Sequence, residues 1–335
     1  MRHLLVIILA FAPCAGAYGP KKVLPRSRPA KAAAPSPPSF DAAAINNPAQ
    51  NILSPGDRGS AVVRAQILLS RAHFSCGEID GHFGNNLGKT LAAFQKERHL
   101  AESDKVDSDI WAALNGDSAP ALISYTIAAE DVAGPFVQIP KEVPDQAKLP
   151  AMNYSSPVEA LAEKFHSSQT LLRALNPGVN FAAGQKIVVP NVLVMPLGRA
   201  ARLEVRKGES SVRAYDDQGK LMAFYVATAG STHDPLPLGN WKVNGVARNP
   251  KFHYNPKLFW DASDKDAKAT LPPGPNNPVG LVWIDLSYEH TGIHGTSEPS
   301  RVGHAFSHGC IRLTNWDAVE LAGMVRPGTP VALVE

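Results

Sequence analysis

Residues 293–317 read IHGTSEPSRVGHAFSHGCIRLTNWD, a glycine-rich run that contains three histidines and one cysteine. Cys310 is followed by Ile-Arg-Leu, and Thr314 and Asp317 then stand at the two ends of a capping box, the pattern that opens a helix. We expect this helix to stop before Pro327, because proline cannot continue a helix. The stretch therefore predicts a cysteine in a tight turn that precedes a short strand and a helix.

The chemistry of this stretch depends on which groups lie beside the cysteine. A thiolate nucleophile needs a base within hydrogen-bond reach. His294 ends a predicted strand and is far enough from Cys310 in sequence to arrive from a neighbouring strand, so we predict that it is the base. Gly309 leaves room for a substrate carbonyl, and the adjacent backbone N–H groups can face an oxyanion. His308 is a second candidate participant, or else it stabilises the turn by a hydrogen bond.

The same residues offer a metal-binding alternative, in which His294, His304, His308 and Cys310 hold a zinc ion. His304 and His308 share a face only in a helix, and the glycines around them favour a loop. The stretch has no H-E-x-x-H motif and no paired C-x-x-C motif. We therefore predict no metal and no other cofactor, and a zinc-dependent peptidase remains the alternative enzyme.

Upstream of this stretch, from residue 201, short apolar runs alternate with turns. The segment RLEVRKGESSVRAYDDQGKLMAFYVAT has a turn at residues 216–219 between strand-like runs. Further strand candidates are separated by loops rich in proline and glycine, which can shape a cleft. Residues 199–335 are thus expected to form a mainly-β domain, with Trp241 and Trp283 in its core and a lid near residues 257–275.

These residues resemble the L,D-transpeptidase family, whose signature is H-G-T, a spacer, and then S-H-G-C-x-R. Residues 294–296 and 307–312 fit this signature, and the upstream PLG (237–239) and NPVG (277–280) are similar to the family as well. The resemblance implies the L,D-transpeptidase fold for the mainly-β domain. The expected catalytic set is Cys310 as nucleophile, His294 as base, Gly309 and His308; the expected substrate-binding set is Arg312, Ser307, Thr296 and Gly295.

The resemblance also implies a reaction. The Cys310 thiolate would attack the carbonyl between the L-centre of a diamino acid and a D-residue in a peptidoglycan stem peptide. The acyl-enzyme would then pass to an amine from another stem, a lipoprotein lysine or a free D-amino acid, or to water. Arg312 suits such a substrate because a guanidinium binds carboxylates bidentately and stays charged.

Composition and the N-terminal sequence restrict the compartment and the partners. MRHLLVIILAFAPCAGA (residues 1–17) predicts a secretory signal with an apolar run too short to span a membrane; a membrane anchor or a lipoprotein signal at Cys14 is the alternative. Residues 18–51, rich in Pro and Ala, predict a disordered tether.

The net charge of +3 is small and lies partly in these two segments. The folded part therefore has no strong positive field, and nucleic-acid binding is excluded. We expect the periplasm or cell wall, with no stable membrane span after signal cleavage.

Two cysteines, Cys76 and Cys310, follow the predicted signal, and their unlike settings make a disulfide framework unexpected. An exported protein that keeps an unpaired thiol needs a reason for it, and catalysis is a common one. Cys76 has no nearby histidine and is expected to be buried.

Residues 52–117 have the pattern of a small helical domain. Ser60 is expected to cap a first helix, a second helix spans Leu87 to Phe94, and a short third helix surrounds Trp111. The opening G-D-x-G, Gln66, D-G-x-F-G (residues 80–84) and F-Q (residues 94–95) resemble the three-helix peptidoglycan-binding domain. The generic alternative is a helical bundle without this function.

Residues 122–192 have the order strand, helix, helix, strand. Ser156, Pro157 and Glu159 form a capping box at the first helix, and residues 171–175 a second helix. The N-P-G and G-Q-x-I-x-x-P pieces resemble a LysM glycan-binding module with an insertion. The segment either binds glycan or serves as a spacer, and His82, His99 and His166 are expected to face solvent.

Together these features predict a multidomain cell-wall enzyme. Its partners would be peptidoglycan stem peptides and glycan, and the upstream modules would raise the effective substrate concentration. The alternatives are a zinc-dependent cell-wall peptidase and a non-catalytic peptidoglycan-binding scaffold. The scaffold is disfavoured because every position of the signature holds the residue that the chemistry requires.

Overall fold

The computed structural model describes residues 40–231, 233–259, 262, 267–305 and 309–335. The helices are α1 (Ala42–Asn46), α2 (Ser60–Arg71), α3 (Asn85–Glu97), α4 (Ser108–Leu114), α5 (Val143–Gln146), α6 (Pro157–Lys164), α7 (Gln169–Leu175) and α8 (Asn315–Met324). The strands are β1 (Phe74–Ser75), β2 (Leu122–Thr126), β3 (Lys186–Pro190), β4 (Arg202–Arg206), β5 (Ser211–Tyr215), β6 (Leu221–Val226), β7 (Thr228–Ala229), β8 (Gly239–Arg248), β9 (Phe252–Tyr254), β10 (Ala269–Leu271), β11 (Val282–Leu286), β12 (Gly292–His294), β13 (Ile311–Arg312) and β14 (Pro330–Val334). The predicted signal, and the tether up to residue 39, lie outside the described residues. No helix in the described ranges is long and apolar enough to cross a bilayer.

The described residues form a ten-stranded sheet in the order β1-β6-β5-β4-β14-β8-β11-β12-β13-β7. All of its strands except β1 belong to the C-terminal domain. β4, β5 and β6 are an antiparallel meander, and the predicted turn at residues 216–219 joins β5 to β6. Alternate side chains of these strands are buried together with the apolar face of α8, which packs against β11 and β12. The prediction of a mainly-β domain is confirmed.

The helical domain consists of α2, α3 and α4, as predicted. The side chain of Gln66 fixes the turn between the first two helices: Nε2 donates to Asp80 Oδ1 at 2.8 Å, and Oε1 accepts from Gly81 N at 2.8 Å. The prediction that Ser60 caps α2 is wrong. Gly59 is the N-cap residue, and Ser60 Oγ instead accepts a hydrogen bond of 3.0 Å from Asp41 N.

The prediction of a disordered tether over residues 18–51 is wrong for its last part, which contains α1. Asp41 caps α1 by accepting from Ala43 N, and Ile45 is fully buried against the helical domain. Arg64 Nη1 also donates to the Ile45 carbonyl at 3.1 Å. A single buried isoleucine and one capping aspartate order this segment, although its overall composition is that of a linker.

The helical domain is continuous with the catalytic sheet. β1 pairs in parallel with β6, with Phe74 opposite Phe224. Both rings belong to one hydrophobic core with Val302, which is 2% exposed and lies in the loop between the two signature motifs. The loop that joins His294 to Cys310 is therefore partly built into the core of the helical domain.

A buried hydrogen bond joins the same two domains. Ser75 Oγ donates to Asp317 Oδ2 at 2.9 Å, and Thr314 Oγ1 accepts from Asp317 N, as the predicted capping box requires. Burial raises the pKa of Asp317 to about 8; the hydrogen bonds from Thr314 and Ser75 oppose the shift and the charge of Glu320 adds to it.

Asp317 is expected to make stability fall as the pH rises. The folded state keeps a proton on this carboxyl between an unfolded pKa near 3.8 and a folded pKa of about 8, so its stabilising contribution is lost as the pH rises through that window. In Asp317→Asn the fall in unfolding temperature between pH 5 and 9 is expected to be smaller by about 6 °C. Thermal unfolding at several pH values measures it, and an unchanged slope in the variant would contradict it.

The middle segment has the predicted order of elements. β2 and β3 pair in antiparallel fashion, α6 and α7 lie between them in sequence, and Ser156 Oγ caps α6 by accepting from Glu159 N. The expectation that His166 faces solvent is wrong. Its ring stacks on Trp316 of α8 with centroids 5.2 Å apart, and burial lowers its pKa to about 4. That this segment is a LysM module remains a prediction.

Candidate active site

The two signature motifs meet where β12 and β13 lie side by side. These strands pair in parallel, with Ile293 opposite Ile311 and His294 opposite Arg312. Paired residues of parallel strands project to the same face of a sheet, and residues two apart along a strand share that face. Cys310 directly precedes β13, two residues before Arg312, so we expect its side chain on the face that carries His294 and Arg312.

His294 is a buried imidazole held on two sides. Nδ1 lies 2.7 Å from the Gly295 carbonyl oxygen, so this nitrogen carries the proton and Nε2 is the acceptor. The ring stacks on Trp283, its cross-strand partner, with centroids 5.3 Å apart. Burial and the positive charge of Arg312 lower the pKa of His294 to about 3, against the opposing effect of the Gly295 carbonyl. His294 is therefore neutral at neutral pH, with Nε2 unprotonated.

Cys310 lies in a turn that needs glycine. Gly309 has φ of +91°, in the left-handed region that glycine adopts without steric penalty. Cys310 Sγ donates to the His290 carbonyl at 3.6 Å. Burial raises the pKa of the Cys310 thiol, while a hydrogen bond from the Gly292 backbone and the charge of Arg312 act in the opposite direction. The resting thiol is consequently protonated, and a base is needed to activate it.

Arg312 presents a guanidinium beside this pair. Burial lowers the pKa of Arg312, and electrostatic interactions with Cys310 and Glu298 act in the opposite direction. Among the residues that the structure describes, its buried Nε atom has no hydrogen-bond partner. A substrate carboxylate could satisfy this donor, because guanidinium and carboxylate match in charge and geometry.

The remaining predicted residues lie around this centre or outside the described part. Thr296 is buried, its Oγ1 accepting from Glu298 N at 3.2 Å, and Gly295 N donates to the Val282 carbonyl at 3.2 Å. Ser307 and His308 lie outside the described residues, as does Trp260. His304 lines a cavity against Asp80 and His82 of the helical domain.

Within the described ranges no group of three or more His, Cys, Asp and Glu side chains could hold a metal ion.

Two residues near His294 were not singled out as site residues from sequence. Trp283 was expected only in the core. The alternation of side chains along β11 could have placed it beside β12, the strand that carries His294. Asn315 follows the helix cap Thr314 and carries no local signal of its own. Its role depends on contacts with residues distant in sequence.

Comparison with known proteins identifies both kinds of domain. Residues 200–333 match the YkuD family, described as the L,D-transpeptidase catalytic domain, and residues 58–114 match the "Putative peptidoglycan binding domain" family. The "Putative L,D-transpeptidase YkuD" of Bacillus licheniformis is 31% identical over 179 residues, which cover 52% of this chain and 92% of that protein. "Probable L,D-transpeptidase YbiS" of Escherichia coli is 26% identical over 188 residues, covering 54% and 61%.

A crystal structure of an L,D-transpeptidase from Xylanimonas cellulosilytica is also similar, with a TM-score of 0.39 and 15% identity over 86% of this chain and 99% of that one. The catalytic-domain match covers residues 200–333, which include His294 and Cys310, and the Bacillus licheniformis relative is matched over nearly its whole length. The chain belongs to the L,D-transpeptidase family.

Proposed function

We propose that this protein is a peptidoglycan L,D-transpeptidase in which Cys310 is the nucleophile and His294 the general base. The observation that carries the proposal is the parallel pairing of β12 with β13, which sets His294 opposite Arg312, two residues beyond Cys310. This register supports a site that combines a neutral imidazole, a thiol and a guanidinium. An acyl transfer to and from cysteine needs these three groups and no cofactor.

In the first half-reaction, Cys310 Sγ attacks the carbonyl between the L-centre of a diamino acid and the following D-residue of a stem peptide. The thiol proton passes to His294 Nε2, and the bond from carbon to the amide nitrogen breaks. His294 returns the proton to the leaving amine of the D-residue, which leaves a thioester on Cys310. The Gly309 and Cys310 backbone N–H groups are the donors for the tetrahedral oxyanion.

In the second half-reaction, an amine attacks the thioester and loses its proton to His294. The Cys310 sulfur leaves and takes that proton back, so the enzyme ends in its starting state. Arg312 holds a carboxylate of the stem during both steps, since its charge persists at every working pH. Another stem peptide, a lipoprotein lysine or a free D-amino acid can supply the amine, and water gives a carboxypeptidase reaction.

The domain organisation favours action on the cell wall. The matched peptidoglycan-binding domain is continuous with the catalytic sheet, so binding to the polymer would hold the active site near its substrate. We therefore propose a secreted protein with a signal peptide over residues 1–17 that acts in the periplasm or cell wall. The proposed boundaries are 52–117 for the peptidoglycan-binding domain, 122–192 for the LysM-like segment and 199–335 for the catalytic domain.

The proposal is tested by incubating the protein with a purified tetrapeptide stem and a D-amino acid, followed by mass spectrometry of the products. We expect exchange of the terminal D-residue, unaffected by a metal chelator and blocked by a thiol-alkylating reagent. Loss of activity with the chelator would favour a zinc peptidase instead. Binding to peptidoglycan without any product would indicate a scaffold.

A further inference from the structure

The amide of Asn315, the first residue of α8, joins three segments of the chain. Its Oδ1 accepts from Leu281 N at 3.1 Å, and its Nδ2 donates to the Pro275 carbonyl at 3.1 Å and to Glu163 Oε2 at 3.0 Å. The side chain is 2% exposed, so none of these bonds competes with bulk water. An unmade hydrogen bond here would leave a buried polar group unsatisfied.

The same amide lies directly against the active-site backbone. A Cβ atom added at Gly295 or at Gly280 would overlap Asn315 Oδ1. Gly295 follows the candidate base, and its carbonyl oxygen is the partner of His294 Nδ1. The position of the Asn315 amide thus limits where the Gly295 backbone, and with it the His294 ring, can lie.

Glu163 supplies one of the two acceptors that orient this amide, and it is the only side chain among the three partners of the amide that the structure describes. It lies on α6 of the LysM-like segment, 7% exposed, and Tyr154 Oη is 3.4 Å from the same Oε2 atom. With Nδ2 bound to Glu163 and Pro275, Oδ1 faces Leu281 N–H; a flipped amide would place donors against that N–H and lose both acceptors. Burial raises the pKa of Glu163 to about 8, opposed by the Asn315 hydrogen bond and reinforced by the charge of Glu159, so the carboxyl is mostly protonated at neutral pH.

We infer that Glu163 is a positioning residue for the transpeptidase reaction: through the buried Asn315 amide it sets the Gly295 backbone and hence the orientation of His294. The inference rests on the proposed function, and it assigns the LysM-like segment a part in catalysis that is independent of glycan binding. A small displacement of a base can slow a reaction strongly, because proton transfer requires close and aligned atoms.

Glu163→Met tests this inference, since methionine has a similar length and lacks the acceptor. The probe is a carbapenem, a β-lactam that the family resemblance implies as a pseudo-substrate. The rate at which it acylates Cys310 is followed at increasing carbapenem concentration, which separates the maximal rate from the apparent binding constant. We expect the maximal rate to fall about tenfold with the binding constant within about twofold, because the base moves while the cleft persists. Glu163→Gln keeps an acceptor for Asn315 and is expected to restore the rate to within about threefold.

Two controls separate positioning from stability. Lys164→Ala changes the next residue of α6, which is exposed and forms an ion pair with Asp131. His73→Ala removes the 2.7 Å contact of the helical domain with Glu320 in the middle of α8. Both are expected to keep the maximal rate, and His73→Ala to lower the unfolding temperature. Glu163→Ala is the second variant if Glu163→Met does not fold.

A wild-type maximal rate in folded Glu163→Met, or in Glu163→Ala if Glu163→Met does not fold, would overturn the inference. An equal fall in His73→Ala, or a failure of Glu163→Gln to restore the rate, would also overturn it. If the wild-type protein itself were not acylated and formed no product from the stem peptide, the proposed function would fail, and the positioning role with it.

Discussion

Cys310→Ala is expected to lose all covalent labelling by a carbapenem, the β-lactam class that the family resemblance implies as a pseudo-substrate. In the proposed mechanism the acyl-enzyme forms on Sγ, and alanine offers no nucleophile in its place. Intact mass spectrometry after incubation should show one adduct on the wild-type protein and none on the variant. With the tetrapeptide stem, the rate of exchange should fall by a factor of at least about 10³.

Cys76 provides the matched control, because the described residues contain two cysteines in contrasting settings. Cys76 is buried in the helical domain, and burial raises the pKa of its thiol, with smaller contributions from the charges of Asp80 and Asp317. It is therefore unreactive. Cys76→Ala should keep the adduct in full. An adduct that survives in Cys310→Ala, or vanishes in Cys76→Ala, would refute the assignment of the nucleophile.

His294→Gln is expected to lower the acylation rate by about 10³-fold at pH 7, because glutamine can fill the site but cannot take the thiol proton. The pH profile distinguishes this role from a structural one. The pKa of His294 is about 3, so the imidazole stays neutral above pH 5 and the wild-type rate should change little between pH 5 and 7. The variant depends on thiol that ionises without help, so its rate should rise about tenfold per pH unit there.

Stability must be followed in the same experiment. The folded pKa of His294 is depressed, so its neutral form stabilises the fold above an unfolded pKa near 6.5, and this contribution is lost as the pH falls toward 3. Unfolding temperatures at each pH confirm that the variant is folded where rates are compared. His99→Gln, at an exposed position of the helical domain, is the control. A rate in His294→Gln within tenfold of the wild type would show that another group is the base.

Elements with local signals were predicted well from sequence. The capping residues Ser156 and Thr314 begin α6 and α8 at the expected positions, and the turn at residues 216–219 joins two strands as expected. Each of these signals involves hydrogen bonds or turns within four residues of the chain. Such interactions form in nearly the same way whatever surrounds them.

The wrong predictions share a tertiary cause. α1 is ordered because Ile45 enters the core of the helical domain, and Ser60 bonds Asp41 of that same segment rather than its own helix. His166 is stacked on Trp316 of another domain. In each case a residue with an ordinary local environment acquires its role from a partner that is distant in sequence.

The sequence by itself determined which residues the proposed chemistry uses: a cysteine after a glycine, a histidine on a separate strand, and an arginine two residues beyond the cysteine. The tertiary structure decided the relative positions of these residues and the protonation state of the histidine. Parallel pairing of β12 with β13 joins the motifs, burial keeps His294 neutral, and Glu163 reaches Asn315 across 152 residues of chain. The physical reason is that pKa values and amide orientations depend on which groups surround an atom in space, and folding alone brings those groups together.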